Sequence, residues 1–143
     1  MARAKLDNRK RVRDRPRMMK TLVMVGLGGA LGASLRFLWG VSVMRLTGPS
    51  EFPVAIMMAN VLGSFLMGAF VVFAAHRGLT HLSPFVMTGL LGGFTTFSAF
   101  SLETVTLMER GDVGAAGLYV ALSVGLTIAG LMLGLWLTRG LLL

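Results

Sequence analysis

Apolar residues run almost without interruption through four stretches, Thr21–Met44, Phe52–Ala75, Pro84–Met108 and Val113–Leu137, separated by short polar links. Each stretch is close to the ~20 residues that carry a helix across ~30 Å of hydrocarbon. Period-two alternation of apolar and polar positions does not run through them, which disfavours a transmembrane β-barrel. The pattern predicts an all-α membrane protein with four transmembrane helices over residues 21–143. The third stretch is irregular, because Gly89-Leu-Leu-Gly-Gly-Phe-Thr-Thr-Phe-Ser-Ala-Phe-Ser101 is built to interrupt a helix. Gly92 and Gly93 lower helix stability, and the β-branched Thr95 and Thr96 add crowding and competing hydroxyls. A break near the middle of the third helix is expected. At membrane depth, freed backbone groups are tolerated only when buried in protein, lining a water-filled path or holding an ion, so the break is the first candidate site.

Polar residues inside the spans are few and regularly placed. Asn60, Ser64 and Gly68 repeat at i, i+4, i+8 and share one helical face. Polar contact between helices is the ordinary role of such a line; the amide and hydroxyl are equally a row of donors for an anion. Phe97, Phe100, Ser101 and Thr104 form a stripe after the break, with Glu103 beside it near the end of the span. Tyr119, Ser123 and Thr127 make a second hydroxyl line in the fourth segment. The pairs Gly28/Gly32 and Gly130/Gly134 have the spacing that lets two helices approach closely. Arg36 has two readings: it faces protein or water within the span, or it snorkels toward the end near Arg45.

Composition agrees with the pattern, at 55% hydrophobic and 14% charged residues with a mean hydropathy of +0.76. Charge is concentrated at one end. Nine of the 14 Lys and Arg lie in residues 1–20, against Asp7 and Asp14, so the rest of the chain is close to neutral. This basic stretch reads as a disordered N-terminal tail that touches anionic lipid and favours an inside N-terminus. Nucleic acid is not an expected partner, because no aromatic residue interleaves with the basic ones and no binding fold follows. The chain has no cysteine, and its two histidines, His76 and His81, fall in the link between the second and third segments. Arg110-Gly-Asp112 reads as a turn. No Ser/His/Asp or paired-acid constellation lies within the spans, so an enzyme is not expected.

Taken together, Gly28-Gly…Gly32-Ala…Arg36, Asn60…Gly63-Ser-Phe…Gly68 and Gly92-Gly-Phe-Thr-Thr-Phe-Ser-Ala-Phe resemble the Fluc (CrcB) family of fluoride channels. The resemblance covers about Gly28 to Thr138. It implies an antiparallel, dual-topology dimer in the cell (inner) membrane that exports F⁻, with a structural Na⁺ held at its centre by the broken third helices. Gly92 and Thr95 match the positions whose main-chain carbonyls hold that Na⁺. Asn60 matches the pore amide, Phe97 and Phe100 the phenylalanines bordering the anion's path, Tyr119 and Ser123 the pore hydroxyls, and Glu103 an acid tied to conduction. Ser64, Ser101 and Thr127 extend the same polar lines. One departure is Ile56, where the family commonly has Thr. Two other classes compete: a small multidrug-type four-helix antiporter, which would want a carboxylate in the first segment where this chain has Arg36, and a structural membrane subunit using its glycines only for packing.

Overall fold

In a computed structural model of the chain, residues 17–48 and 50–142 are described in full, with backbone alone over 2–16. Helix α1 is Ala2–Thr47, α2 is Val54–Arg77, and a short 3₁₀ turn, Thr80–Leu82, leads into α3. Helix α3 is wound as a π-helix over Pro84–Leu91 and continues as one further turn through Gly92–Phe94. Thr95 and Thr96 are extended, and α4 (Phe97–Glu109) and α5 (Val113–Leu142) complete the chain. Four spans, Arg17–Thr47, Val54–Arg77, Thr80–Glu109 and Val113–Leu142, are long and apolar enough to cross a membrane, as the hydrophobic pattern predicts. The third is interrupted at Thr95 and Thr96, just after the two glycines, which are themselves helical.

Local signals explain the boundaries. Pro84 sits in the first turn of α3, where its missing N–H has no helical partner to lose. Gly78 ends α2 at φ 68°, donating its N–H to the Ala74 carbonyl, and Gly111 turns the chain between α4 and α5 at φ 87°. The Arg110-Gly-Asp112 segment is therefore a turn, as expected. The tail predicted to be disordered, residues 1–20, lies almost wholly outside the fully described residues; Arg17, Met18, Met19 and Lys20 are exposed helical positions.

The helices pack as two pairs, α1 on α3 and α2 on α5. Both pairs use the predicted small-residue faces. A Cβ at Gly28 would overlap the Phe85 carbonyl and one at Gly32 the Leu90 carbonyl, while Gly93 lies against α1 with the Gly29 carbonyl 2.7 Å from where its Cβ would stand. Between α2 and α5, Gly68 meets the Leu131 carbonyl and Gly134 meets the Phe65 carbonyl in the same way. Such contact lets backbones associate through van der Waals packing in lipid, where no hydrophobic drive joins helices. A buried cluster of Phe100, Leu107, Ala116 and Tyr119 joins α4 to α5, with Phe52 and Ile56 packed on it. Leu22, Leu27, Phe37, Leu102, Met132 and Trp136 are exposed on the outside, as a hydrocarbon-facing surface requires.

Candidate functional site

The break is held by side chains that capture the backbone groups a continuous helix would have paired. Asn60 of α2 accepts the Thr96 N–H on Oδ1 at 2.7 Å and donates Nδ2 to the Thr96 carbonyl at 3.1 Å. The Thr96 hydroxyl in turn accepts the Ala99 N–H at 3.2 Å, acting as the N-cap of α4. In an unbroken helix the Thr96 N–H would bond the Gly92 carbonyl, and the Ala99 N–H would bond that of Thr95. Both donors are diverted. The two carbonyls assigned to a cation by resemblance are thus among those whose helical partners are withdrawn at the break.

Beside the break lies a cavity of about 290 Å³ lined by Asn60, Ser64, Thr95, Thr96, Phe97, Phe100, Ser123, Val124, Thr127 and Ile128. It gathers six of the expected pore residues: Asn60, Ser64, Phe97, Phe100, Ser123 and Thr127. Phe97, 77% exposed, stands at its rim, and its ring centroid is 5.3 Å from that of the buried Phe100. Tyr119 lies behind Phe100, fully buried, with ring centroids 5.4 Å apart. The hydroxyls of Tyr119 and Ser123 are buried with no hydrogen-bond partner among the described residues. Ser101 is placed differently from Phe97 and Phe100: like Thr104 it does not line this cavity, and its hydroxyl donates to the Phe97 carbonyl at 2.9 Å.

Glu103 is also elsewhere. It lines a second cavity of about 300 Å³ toward the end of α4, with Glu51, Phe52, Ile56 and Arg110. Ile56 thus stands in the wall of this outer cavity. Phe100 lines the first cavity and Phe52 the second, and Tyr119 contacts both rings, meeting Phe52 edge-on at 5.6 Å. An aromatic stack therefore separates the two spaces.

Comparison with known proteins identifies the architecture. Residues 23–135 match the family described as CrcB-like protein, Camphor Resistance (CrcB). The chain belongs to the CrcB family. It is 76% identical over 123 residues to a protein of Roseobacter denitrificans named "Fluoride-specific ion channel FluC", which covers 85% of this chain and 98% of that relative. Relatives of the same name from Ruegeria sp. and Cereibacter sphaeroides are 66% identical over 125 residues and 61% over 123, covering 87% and 86% of this chain and 99% and 98% of theirs. With its four apolar spans, this member of the CrcB family is a multi-pass membrane protein, in a bacterial cell of the inner membrane.

Within this CrcB chain, Thr96 and Phe52 do more than their sequence patterns indicate. By its residue type Thr96 weakens a helix, yet it is the group on which both the Asn60 clamp and the α4 cap depend. Its signal is a Thr immediately before an apolar helical run, the pattern of an N-cap. Phe52, read only as the start of a span, carries no local signal, since its contact with Tyr119 joins residues far apart in the chain.

Proposed function

We propose that this chain is a fluoride-selective channel through which F⁻ leaves the cell, lowering its toxicity. The carrying observation is the cavity at the break, which brings Asn60, Ser64, Ser123 and Thr127 together with the rings of Phe97 and Phe100. Fluoride holds its water tightly, so entry into a narrow path requires replacement donors at close range. The cavity offers them. One Asn60 N–H remains beyond its bond to Thr96, and the Ser123 hydroxyl, one turn along α5 from that of Tyr119, is a second donor lining the cavity. Ring edges are the positive rim of the aromatic quadrupole and tolerate an anion that ring faces would repel. From here the path runs past Phe100, Tyr119 and Phe52 to the outer cavity, where Arg110 stands with Glu51 and Glu103. The names of the relatives support fluoride as the ion, and nothing in the cavity suits proton-coupled drug exchange.

Two further parts of the proposal concern assembly. The cavity is open along Phe97, Val124 and Ile128, and a second, antiparallel copy would close it, with the dimer's twofold axis passing by the two breaks. Gly92 and Thr95 fit a hard cation such as Na⁺, which prefers oxygen ligands, because their carbonyls are released from helical pairing. Two copies would contribute both pairs. When bound, the ion would neutralise the partial negative charge of these carbonyls; it is structural and not transported. Dimer stability should rise along a Na⁺ titration with a large organic cation as replacement, and indifference to Na⁺ would remove the ion from the proposal.

The function is tested by reconstituting the purified protein in liposomes and following anion release with a fluoride electrode. Rapid F⁻ efflux without a proton gradient, far exceeding Cl⁻ efflux from matched vesicles, is expected. Comparable Cl⁻ release, drug–proton exchange or no transport would each reject the channel.

A further inference from the structure

We infer that Arg36 is a positioning residue of the break, a guanidinium on α1 that caps the carbonyl end of α3 from outside and holds the Thr95–Thr96 link extended. The Arg36 Nη1 lies 3.5 Å from the Thr95 carbonyl oxygen, in a half-buried site. That carbonyl is the one whose helical donor, the Ala99 N–H, has turned to the Thr96 hydroxyl. Left bare at membrane depth it would be an unsatisfied acceptor, and the guanidinium offers it a long hydrogen bond together with an opposing charge.

The approach is prepared by the glycine face. Gly28, Gly32 and Arg36 follow at i, i+4, i+8 and form one stripe. Gly32 brings α1 so close to α3 that its Cβ would overlap the Leu90 carbonyl and stand 2.9 Å from the Phe94 nitrogen. One turn further along, the same stripe reaches the point where α3 ends, and there the residue is Arg36. The two glycines set the distance and the guanidinium uses it.

A guanidinium has five N–H donors, so one carbonyl does not satisfy it. Arg36 also lines a groove of about 440 Å³ with Phe37, Gly40, Val41, Met44 and Arg45. Arg45 is nine residues further along α1, roughly 13 Å at helical rise, toward the membrane end. The groove thus runs along α1 from Arg36 to a second cation nearer the membrane end. Arg36 faces the protein at the break, the first of its two sequence readings. A carbonyl oxygen has two lone pairs, so the cap leaves Thr95 able to serve a second ligand.

The test is hydrogen exchange on the full-length protein in lipid nanodiscs, comparing the natural chain with Arg36→Gln and Arg36→Lys. This readout does not depend on what the protein conducts. In Arg36→Gln the Thr95–Ala99 amides should exchange about tenfold faster, while amides of Val120–Gly130 in α5 stay unchanged. Arg36→Lys, which keeps the charge, should exchange more slowly at the break than Arg36→Gln. Unchanged exchange at the break in Arg36→Gln, equal acceleration in α5, or identical behaviour of the Lys and Gln variants would each overturn the assignment.

Discussion

Asn60 commits its carbonyl oxygen and one amide hydrogen to Thr96, so a residue read from sequence as a pore donor is also a clamp on the backbone. Its replacement should therefore have two effects. Asn60→Ala leaves the Thr96 N–H, on a buried residue, without its partner, at a cost of about 1–3 kcal/mol, and removes the free amide hydrogen from the cavity. Both F⁻ flux and the unfolding midpoint should fall. Phe97→Ile makes the contrasting variant, because this ring is exposed at the cavity rim and makes little of the chain's own core. Flux should drop while stability changes by no more than about 0.5 kcal/mol. Electrode flux and thermal unfolding on the same preparations check the pair; a Phe97→Ile protein as unstable as Asn60→Ala would show that its ring is structural. The polar lines were legible in the sequence because residues four apart on a helix must share a face. The bond of Arg36 to Thr95 was not, since it joins residues 59 positions apart and depends on how closely two helices meet.

The positions of the helices followed from hydrophobic length, and the break from two glycines and two threonines, each a local property. The π-winding of Pro84–Leu91 had no such local origin. It lies where α3 is pressed against Gly28 and Gly32, with its own Gly89 at the contact. The glycine faces give a test of packing at this scale. A Cβ at Gly134 would overlap the Phe65 carbonyl and come within 3.0 Å of the Ala69 nitrogen, whereas at Gly125, on the same helix, nothing lies within 4 Å. Gly134→Ala should destabilise the protein by about 1–3 kcal/mol by forcing α2 and α5 apart. Gly125→Ala should be neutral or slightly stabilising, since alanine is the better helix former by about 1 kcal/mol. Denaturation in a graded detergent series compares them. Equal loss in both would mean that the α2–α5 face is not closely packed.

For the whole molecule, the question is how a chain with so unequal a charge distribution enters the membrane. Four spans place both termini on one side, together with the link carrying Arg77 and the end carrying Arg139, and leave Arg45 and Arg110 on the other. Those body charges are nearly balanced, as an antiparallel dimer of identical chains requires. The nine cations of residues 1–20 are not, and by the positive-inside rule they should hold the N-terminus in the cytoplasm. Deleting residues 1–17 removes eight of the nine and leaves Lys20, Arg77 and Arg139 facing Arg45 and Arg110. The shortened chain should then insert in both orientations, while the full chain inserts mainly in one. Reporters active on only one side of the membrane, fused to the C-terminus, measure the ratio directly. Mixed orientation appearing only after truncation would assign topology to the tail and imply that the full chain needs an oppositely inserted partner to form the proposed antiparallel pair. A single orientation in both proteins would place the determinant in the body, and mixed orientation in both would show that nine cations do not prevent translocation of this terminus.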